Sequence, residues 1–195
     1  MVANDEGSFY EITPKGEILS RHKLGDFDLE GVVCEPKKLI FAVENGALLE
    51  VNRASLQSKY LKLKGEGFTL SKKAGIEGIT KIGKLYYLSI QSKQKENAKI
   101  LIVKKGENYA LVTKVIKHGI IDAAGMQFYD DKLYIVSDKK DKLYTYSLKK
   151  NEIKHKLKLP KFAQEGVTFD KEGNIYFADD NGAVLKYTMK ELKVK

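Results

Sequence analysis

The 195-residue chain has no tryptophan, only one cysteine and only three prolines. A disulfide needs two cysteines, so Cys34 has no partner within the chain, and its alternating apolar surroundings predict a small core residue. His22, His118 and His155 lie too far apart in sequence to form a Cys/His metal motif. These absences exclude an internal disulfide framework and a zinc-finger type of site.

Long apolar runs and sustained helical periodicity are also missing. No stretch is long enough and apolar enough to span a bilayer. The first residues, 1–7, do not have the pattern of a signal peptide. They read like the end of a strand and the turn after it, which predicts that a preceding strand is missing. There is no Gly-x-Ser-x-Gly elbow and no P-loop, so no catalytic residue is predicted.

Arginine is scarce although the chain is basic. Lysine and arginine number 35 against 26 aspartates and glutamates, a formal charge of +9. Arg21 and Arg53 are the only arginines, whereas proteins that read nucleic acids use arginine for bidentate contacts. We therefore expect no nucleic-acid partner and a solvated, lysine-rich surface.

What the sequence does contain is a repeated phrase: an acidic residue, a glycine and then an apolar alternation. Its glycines recur at roughly 40–50 residues, a period typical of propellers and other repeat arrays. Between the copies, short alternating segments are separated by turns such as Asn45-Gly46, a strong hairpin signal. The copies occupy residues 28–33, 76–80, 122–127 and 164–169.

Four short strands per repeat predict an all-β chain with the fold of a β-propeller. We predict a single domain over residues 1–195, with about five blades of four antiparallel strands. The first blade lacks its innermost strand, and residues 192–195 form part of a last outer strand. A β-sandwich is the structural alternative, although a sandwich does not require a regular internal repeat.

The innermost strand of each blade lines the central channel of a propeller, so the repeated phrases predict a cluster of carboxylates there. Glu30, Glu77 and Glu165 occupy equivalent positions. Ala124 is their equivalent in the fourth blade, but Asp122 lies two residues earlier on the same side of the strand, as Asp28 does in the second blade. The predicted metal set is therefore Glu30, Glu77, Glu165, Asp122 and Asp28.

Three roles are open for these carboxylates. They could hold a hard cation such as Ca²⁺, which binds carboxylates, carbonyls and water in flexible geometry. They could instead anchor each blade by accepting hydrogen bonds from backbone N–H groups, with glycine permitting close strand approach. The third role is direct acid–base catalysis.

A second acidic series ends the second strand of several blades, at Asp5, Glu44, Asp138 and Asp180, and Ile90 breaks it. Such strand ends lie at a propeller mouth, but acids in turns also make local hydrogen bonds, which we regard as the better interpretation. His118 precedes a glycine near a blade start and is predicted to be a solvated loop histidine.

The repeated phrases, together with the ending over residues 173–180, resemble the SdiA-regulated (YjiK-like) β-propeller family over nearly the whole chain. The resemblance implies a propeller in the bacterial envelope or periplasm, with an N-terminal signal or membrane anchor and a calcium site. This chain shows no such anchor. Ala124 also stands where the family more typically has an acidic or hydroxyl residue.

Three functions follow as expectations. The first is a monomeric binding module for an unidentified ligand or protein, with Ca²⁺ in the channel. The second is a calcium-dependent hydrolase of lactones or phosphate esters, in which the cation polarises the reacting oxygen. The third is a scaffold that binds protein or an anionic cell-wall polymer through its lysines.

Overall fold

The computed structural model describes residues 1–71 and 74–193, and their regular structure is almost entirely β. The strands form successive antiparallel units in chain order, each running up and down without a crossover. The first unit contains β1 (Val2–Asn4), β2 (Ser8–Ile12) and β3 (Ile18–Lys23).

The second and third units each have four strands. The second contains β4 (Leu29–Cys34), β5 (Lys38–Val43), β6 (Ala47–Asn52) and β7 (Ser58–Lys64). The third contains β8 (Ile76–Ile82), β9 (Leu85–Ile90), β10 (Lys99–Lys105) and β11 (Ala110–Lys117). A short parallel pairing between the outer strands, β7 and β11, joins these two units into one hydrogen-bonded sheet.

The fourth unit again has four strands and the fifth has three. The fourth contains β12 (Ala123–Tyr129), β13 (Lys132–Ser137), β14 (Lys142–Ser147) and β15 (Glu152–Lys158). The fifth contains β16 (Gln164–Phe169), β17 (Asn174–Asp179) and β18 (Ala183–Thr188). Two short 3₁₀ turns, Lys95–Asn97 and Asp138–Lys140, are the helical segments of the described chain.

Local sequence explains the strands well. The apolar run over β5 is buried from Leu39 to Val43, as expected for a strand covered on both faces. Outer strands such as β7 and β15 instead alternate lysines with apolar residues, so one face packs and the other meets water. Asn45 and Gly46 form the tight connection between β5 and β6, where Gly46 has a φ of 98°.

Four hydrophobic clusters lie between consecutive units. Phe9 and Phe41 lie in the cluster between the first and second units, and Ile135 lies in the one between the third and fourth. The inner strands contact one another in chain order: β4 contacts β8, β8 contacts β12, and β12 contacts β16. On the other side of β4, β1 contacts it. The inner strands therefore converge on a common axis, while the outer strands face solvent.

The structure confirms the all-β prediction and nearly every predicted strand, and it corrects two predictions. Cys34 is exposed rather than buried, because it ends β4 where that strand leaves the sheet. The predicted outer strand over residues 192–195 is a turn at Leu192 and Lys193, and residues 194 and 195 lie outside the described residues. Within the described chain, no helix has the length and apolar character needed to cross a membrane.

Candidate functional site

A β-bulge in the inner strand gives each repeated phrase its geometry. Leu29 pairs with Val43 and Gly31 pairs with the adjacent Ala42, so Glu30 is an extra residue without a partner across the ladder. The same irregularity occurs around Glu77 in β8 and around Glu165 in β16. A bulge bends its strand and re-aims the extra side chain. The Glu-Gly pair is thus the local sequence signature of a bulge at the axis.

The glycine that follows each bulge allows neighbouring inner strands to come together. A Cβ atom built on Gly125 would lie 2.6 Å from the Glu165 carbonyl oxygen and 2.7 Å from the Gly166 Cα. A Cβ on Gly78 would lie 2.8 Å from the Ala124 carbonyl oxygen. Such contacts are too close for any side chain, so the predicted role of glycine in close strand approach is confirmed.

The three equivalent glutamates lie close enough to disfavour one another's charge. Burial, together with the charge of Glu77, raises the pKa of Glu30 to about 10. Burial likewise raises the pKa of Glu77 to about 7 and that of Glu165 to about 8, where the Glu77 charge again contributes. Glu77 therefore lies near both Glu30 and Glu165, from which it is separated by 47 and 88 positions in sequence.

The second acidic series reaches the same mouth of the channel. Burial raises the pKa of Asp5, Glu44 and Asp138, and the charges of Asp28, Asp122 and Asp180 raise it further. These acids therefore belong to the same electrostatic cluster as the inner-strand glutamates, and local turn bonding does not account for their environment. Asp179, rather than Asp180, accepts the local hydrogen bonds of its turn, from Asn181.

The residue that interrupts the second series is Gln91 rather than Ile90. The Glu44 N–H donates to the Asp28 carbonyl at 3.0 Å, and the Gln91 N–H donates to the Gly75 carbonyl at 3.1 Å. This shared backbone bond identifies Gln91 as the structural equivalent of Glu44. Ile90 is instead the equivalent of Val43, because each pairs with the first residue of an inner strand.

Asp122 and Asp28 occupy equivalent positions but have different surroundings. Asp122 is 1% exposed, and its carboxylate accepts the Lys139 N–H at 2.9 Å and lies 3.3 Å from the Lys139 Nζ. Asp28 has no such cation. Its Oδ1 is buried without a hydrogen-bond donor among the described residues, and its carboxyl group lies close enough to Glu30 and Glu44 to raise the pKa of both.

Asp5, Asp28 and Glu30 form the tightest oxygen cluster. One carboxylate oxygen from each lies within 4.8 Å of the others. Three negative groups at that separation need a shared proton, solvent or a cation. The sequence predicts Asp5 as a member of the second series rather than of the metal set, and only the fold shows that it joins Asp28 and Glu30.

A cavity of about 390 Å³ opens beside these carboxylates. Its volume is in the range of small-molecule sites. Its acidic end contains Asp5, Glu30 and Glu165, and its walls are mainly apolar, including Leu29, Met126, Val167 and Phe177. Residues of β1, β4, β8, β12 and β16 line it, so the cavity lies where the inner strands converge. Cys34 lines its other end.

His118 lies outside this site and is not a solvated loop residue. It is 5% exposed, its Nδ1 accepts the Ile120 N–H at 3.1 Å, and its ring meets Tyr146 edge-on at 6.5 Å. Burial lowers its pKa to about 4, so it is neutral at physiological pH. Its predicted exposure is wrong because the loop before β12 folds over the core.

Comparison with solved structures supports the architecture. The crystal structure of glutaminyl cyclase from Myxococcus xanthus matches with a TM-score of 0.70 and 10% identity, covering 92% of this chain and 80% of that one. The chain has a β-propeller-like fold. At that identity the likeness concerns the fold alone. No protein-family model and no curated protein sequence matches the chain.

The arrangement has two chemical capacities. Clustered carboxylate oxygens around an axis can hold a hard cation, and glutamates with raised pKa values can exchange protons near neutral pH. Sequence reasoning found the inner-strand acids from their repeat. It placed Asp5 and Glu44 together at the propeller mouth but favoured local turn bonding for them, so it missed that they join the cluster.

Proposed function

We propose that this chain is a monomeric, single-domain, five-bladed β-propeller binding module whose axial carboxylates hold Ca²⁺. The observation that supports it is the Asp5–Asp28–Glu30 cluster, with one oxygen from each within 4.8 Å. Ca²⁺ takes six to eight oxygen ligands in flexible geometry, so carboxylates, backbone carbonyls and water would complete its coordination.

The chemistry of the remaining acids fits a cation at this mouth. Asp28 Oδ1 is buried and finds no donor in the described part of the chain. A bound cation would supply that missing partner and would also lower the raised pKa values of Glu30, Glu77 and Glu165. Asp122, the remaining member of the predicted ligand set, is already paired with Lys139.

The resemblance to the SdiA-regulated family adds the cellular setting to this proposal. On that resemblance, the protein belongs to the bacterial envelope and binds a partner there. The repeated Glu-Gly bulges at residues 30–31, 77–78 and 165–166 support the assignment, because they reproduce the repeated phrase in structure as well as in sequence.

Calcium binding is tested by thermal unfolding of the metal-stripped protein during a Ca²⁺ titration. A ligand that binds only the folded state stabilises it by about 2.7 kcal/mol at a hundredfold excess over Kd. For a chain of this size we expect Tm to rise by about 5–10 °C. Excess chelator should reverse the rise, and a Tm insensitive to both additions would rule out the metal site.

Matched variants test whether the calcium-induced rise in Tm comes from the Asp5–Asp28–Glu30 cluster. The Asp28→Asn substitution removes a charged ligand at the cluster, so the calcium-induced rise in Tm should fall by at least half. Glu172→Gln removes an exposed carboxylate from a turn outside the cluster and should leave the rise unchanged. Equal responses from the two variants would point to nonspecific cation binding.

The cavity favours a second candidate, a calcium-dependent hydrolase of lactones or phosphate esters. Its apolar walls suit the body of a substrate, and its acidic end is where a cation would polarise the reacting carbonyl or phosphoryl oxygen. Glu77, whose pKa burial raises to about 7, would exchange the proton of the attacking water.

A substrate screen decides between binding and hydrolysis. Acyl lactones and aryl phosphate esters would be incubated with the protein in Ca²⁺ and in chelator. The hydrolase predicts turnover that needs Ca²⁺ and falls by about a hundredfold in Glu77→Gln, the usual size of a lost general base. Absence of turnover on both classes eliminates this candidate without affecting the calcium titration.

A further inference from the structure

The outer strands β7 and β11 join two units in a way that the other described units do not share. The two strands pair in parallel at two positions, Leu63 with Ala110 and Lys64 with Leu111. Leu63 and Ala110 are buried in the hydrophobic cluster between the second and third units. Because successive side chains of a strand point to opposite faces, Lys64 and Leu111 lie on the outer face of the joined sheet.

This outer face has exposed aromatic and apolar side chains beside its lysines. Tyr60 is 42% exposed, Tyr109 is 40% exposed and Leu111 is 40% exposed. They are three of the six large apolar side chains that are exposed in the described part of the chain. Grouped apolar side chains with polar neighbours are typical of an interaction surface. We call this surface the outer seam, and define it by Tyr60, Lys62, Lys64, Tyr109 and Leu111.

The strands that form the outer seam are basic. Their lysines are all exposed, and none forms an ion pair with a residue that the structure describes. Neither strand contains an acidic residue, and the acids next to them in sequence are Glu66 after β7 and Glu107 before β11. An excess of positive charge therefore remains for an anionic partner. The five lysines of the two strands are Lys59, Lys62, Lys64, Lys114 and Lys117.

Three side chains of the outer seam are already held in place. The Tyr60 hydroxyl donates to Asn45 Oδ1 at 2.7 Å, and its ring stacks on Phe27 with the ring centroids 6.1 Å apart. The Lys64 Nζ lies 4.6 Å from the centroid of the Tyr109 ring, a cation–π contact. Side chains that are ordered before binding lose less conformational entropy when a partner binds.

We propose that the outer seam binds an extended, acidic polypeptide segment of a partner protein. Tyr60, Lys62 and Lys64 form a row on one face of β7, with about 7 Å between successive members. Alternate residues of an extended peptide have the same spacing, so an aromatic residue followed by two alternating carboxylates matches the row. The two tyrosines and Leu111 supply apolar contact, and the lysines supply charge complementarity.

The residue types of the outer seam favour this partner over a nucleic acid. Phosphate and base recognition commonly uses the bidentate fork of arginine, whereas lysine is a flexible point charge. Neither Arg21 nor Arg53 lies on β7 or β11. Lysines on outer strands also protect a sheet from edge-to-edge aggregation, but that role requires no exposed tyrosine.

Binding at the outer seam is independent of the proposed calcium site. The axial carboxylates lie on inner strands and at the mouth, whereas β7 and β11 are the outer strands of their units. Peptide binding should therefore be the same in Ca²⁺ and in chelator. A failed calcium titration would not affect this experiment, and a failed peptide titration would not affect the calcium site.

The probe is a synthetic peptide in which a phenylalanine is followed by two glutamates at alternate positions, with serines between them and the unit repeated once. Isothermal titration at low salt should give a Kd of about 10–100 µM, a modest affinity for a small exposed surface. Raising the salt concentration to about 0.2 M should weaken binding by about threefold to tenfold, because exposed charges are screened. No binding, or equal binding by a peptide with glutamine at every glutamate, overturns the proposal.

Peptide spacing is tested with a second peptide of the same composition. Its two glutamates are adjacent rather than alternate, so in an extended peptide they point to opposite sides. This peptide should bind about threefold more weakly, because only one of its carboxylates faces the row of lysines. Equal affinity for the two peptides would show that an extended segment is not what the surface recognises, and the proposal would be wrong.

Matched double variants test the location of binding. Lys62→Gln with Lys64→Gln removes two charges from the outer seam and should weaken binding about fivefold. Lys156→Gln with Lys158→Gln removes the same charge from β15, another exposed outer strand, and should change the Kd by less than about twofold. Equal losses from the two double variants would indicate general attraction to a basic protein and would contradict the proposal.

Two other anionic partners are separated by direct comparison. Double-stranded DNA and vesicles that contain anionic lipid are titrated under the same conditions as the peptide. If either binds more tightly than the peptide and loses binding in the Lys62 and Lys64 double variant, the outer seam is a nucleic-acid or membrane surface and the proposal is wrong. Weaker binding of both, with peptide binding retained, supports an acidic polypeptide partner.

Discussion

The Gly125→Ala substitution is expected to lower the free energy of unfolding by about 3 kcal/mol. The added Cβ would lie 2.6 Å from the Glu165 carbonyl oxygen, 2.7 Å from the Gly166 Cα and 3.0 Å from the Val167 nitrogen. All three are backbone atoms of β16, so no side-chain rotation relieves the contact. The two inner strands would have to separate at the axis, which also displaces Glu165 within β16.

Substitution of a second glycine, Gly182, separates the effect of a steric clash from that of backbone strain alone. Gly182 has a φ of +85°, and a Cβ there would meet no described atom within 4 Å. Gly182→Ala should therefore cost only about 1 kcal/mol, the penalty for a left-handed alanine. Urea unfolding measures the free energy of unfolding of both variants. An unchanged slope m would show that each variant exposes as much surface on unfolding as the parent protein does. Equal losses would contradict the close approach of β12 and β16.

In chelator, the stability of the protein is expected to fall as pH rises from about 5 to 8. An acid whose folded pKa is raised binds more protons in the folded state than in the unfolded state over this interval. Its contribution is fully present below the unfolded value of 4.5 and is lost as pH passes the folded value, about 7 for Glu77 and about 8 for Glu165.

The size of this loss of stability follows from the pKa shifts. The change at Glu77 alone, from 4.5 to about 7, corresponds to about 3 kcal/mol. For a chain of this size we expect Tm to fall by about 6–12 °C across the interval. Thermal unfolding monitored by circular dichroism, at constant ionic strength and in excess chelator, measures it.

A neutral substitution identifies the groups responsible. Glu165→Gln should raise Tm at pH 8 and flatten the pH profile, since it removes a charge that burial and Glu77 disfavour. The matched control Glu172→Gln should follow the parent protein at every pH. A parent Tm that is constant or rises between pH 5 and 8 would mean that the glutamates are not crowded as described.

Strand positions were predictable because they depend on neighbours in sequence. The alternation over residues 85–89 and the turn at Asn45-Gly46 specify backbone conformation within a few residues, and the structure reproduces both. The sequence also predicts that glycines of the repeated phrase permit close strand approach, and Gly125 shows such an approach. The number of blades stays a prediction, because the repeat indicates the units without showing how the first and fifth meet.

The site was predictable only in part. The convergence of Glu30, Glu77 and Glu165 followed from their equivalent positions. The participation of Asp5 and the engagement of Asp122 by Lys139 did not, because each depends on how loops from different units meet at the mouth. The burial of His118 was missed for the same reason, since the loop that contains it reads as polar and exposed.

By itself, the sequence determined an all-β chain of repeated antiparallel units, three of which open with a Glu-Gly phrase on the inner strand. These properties depend on side-chain alternation and glycine conformation, which act over a few residues. Only the tertiary structure decided which acids share a mouth, which of them has a lysine partner, and that β7 and β11 join two units into one outer face. Those outcomes depend on packing between units far apart in the chain, which no local pattern encodes.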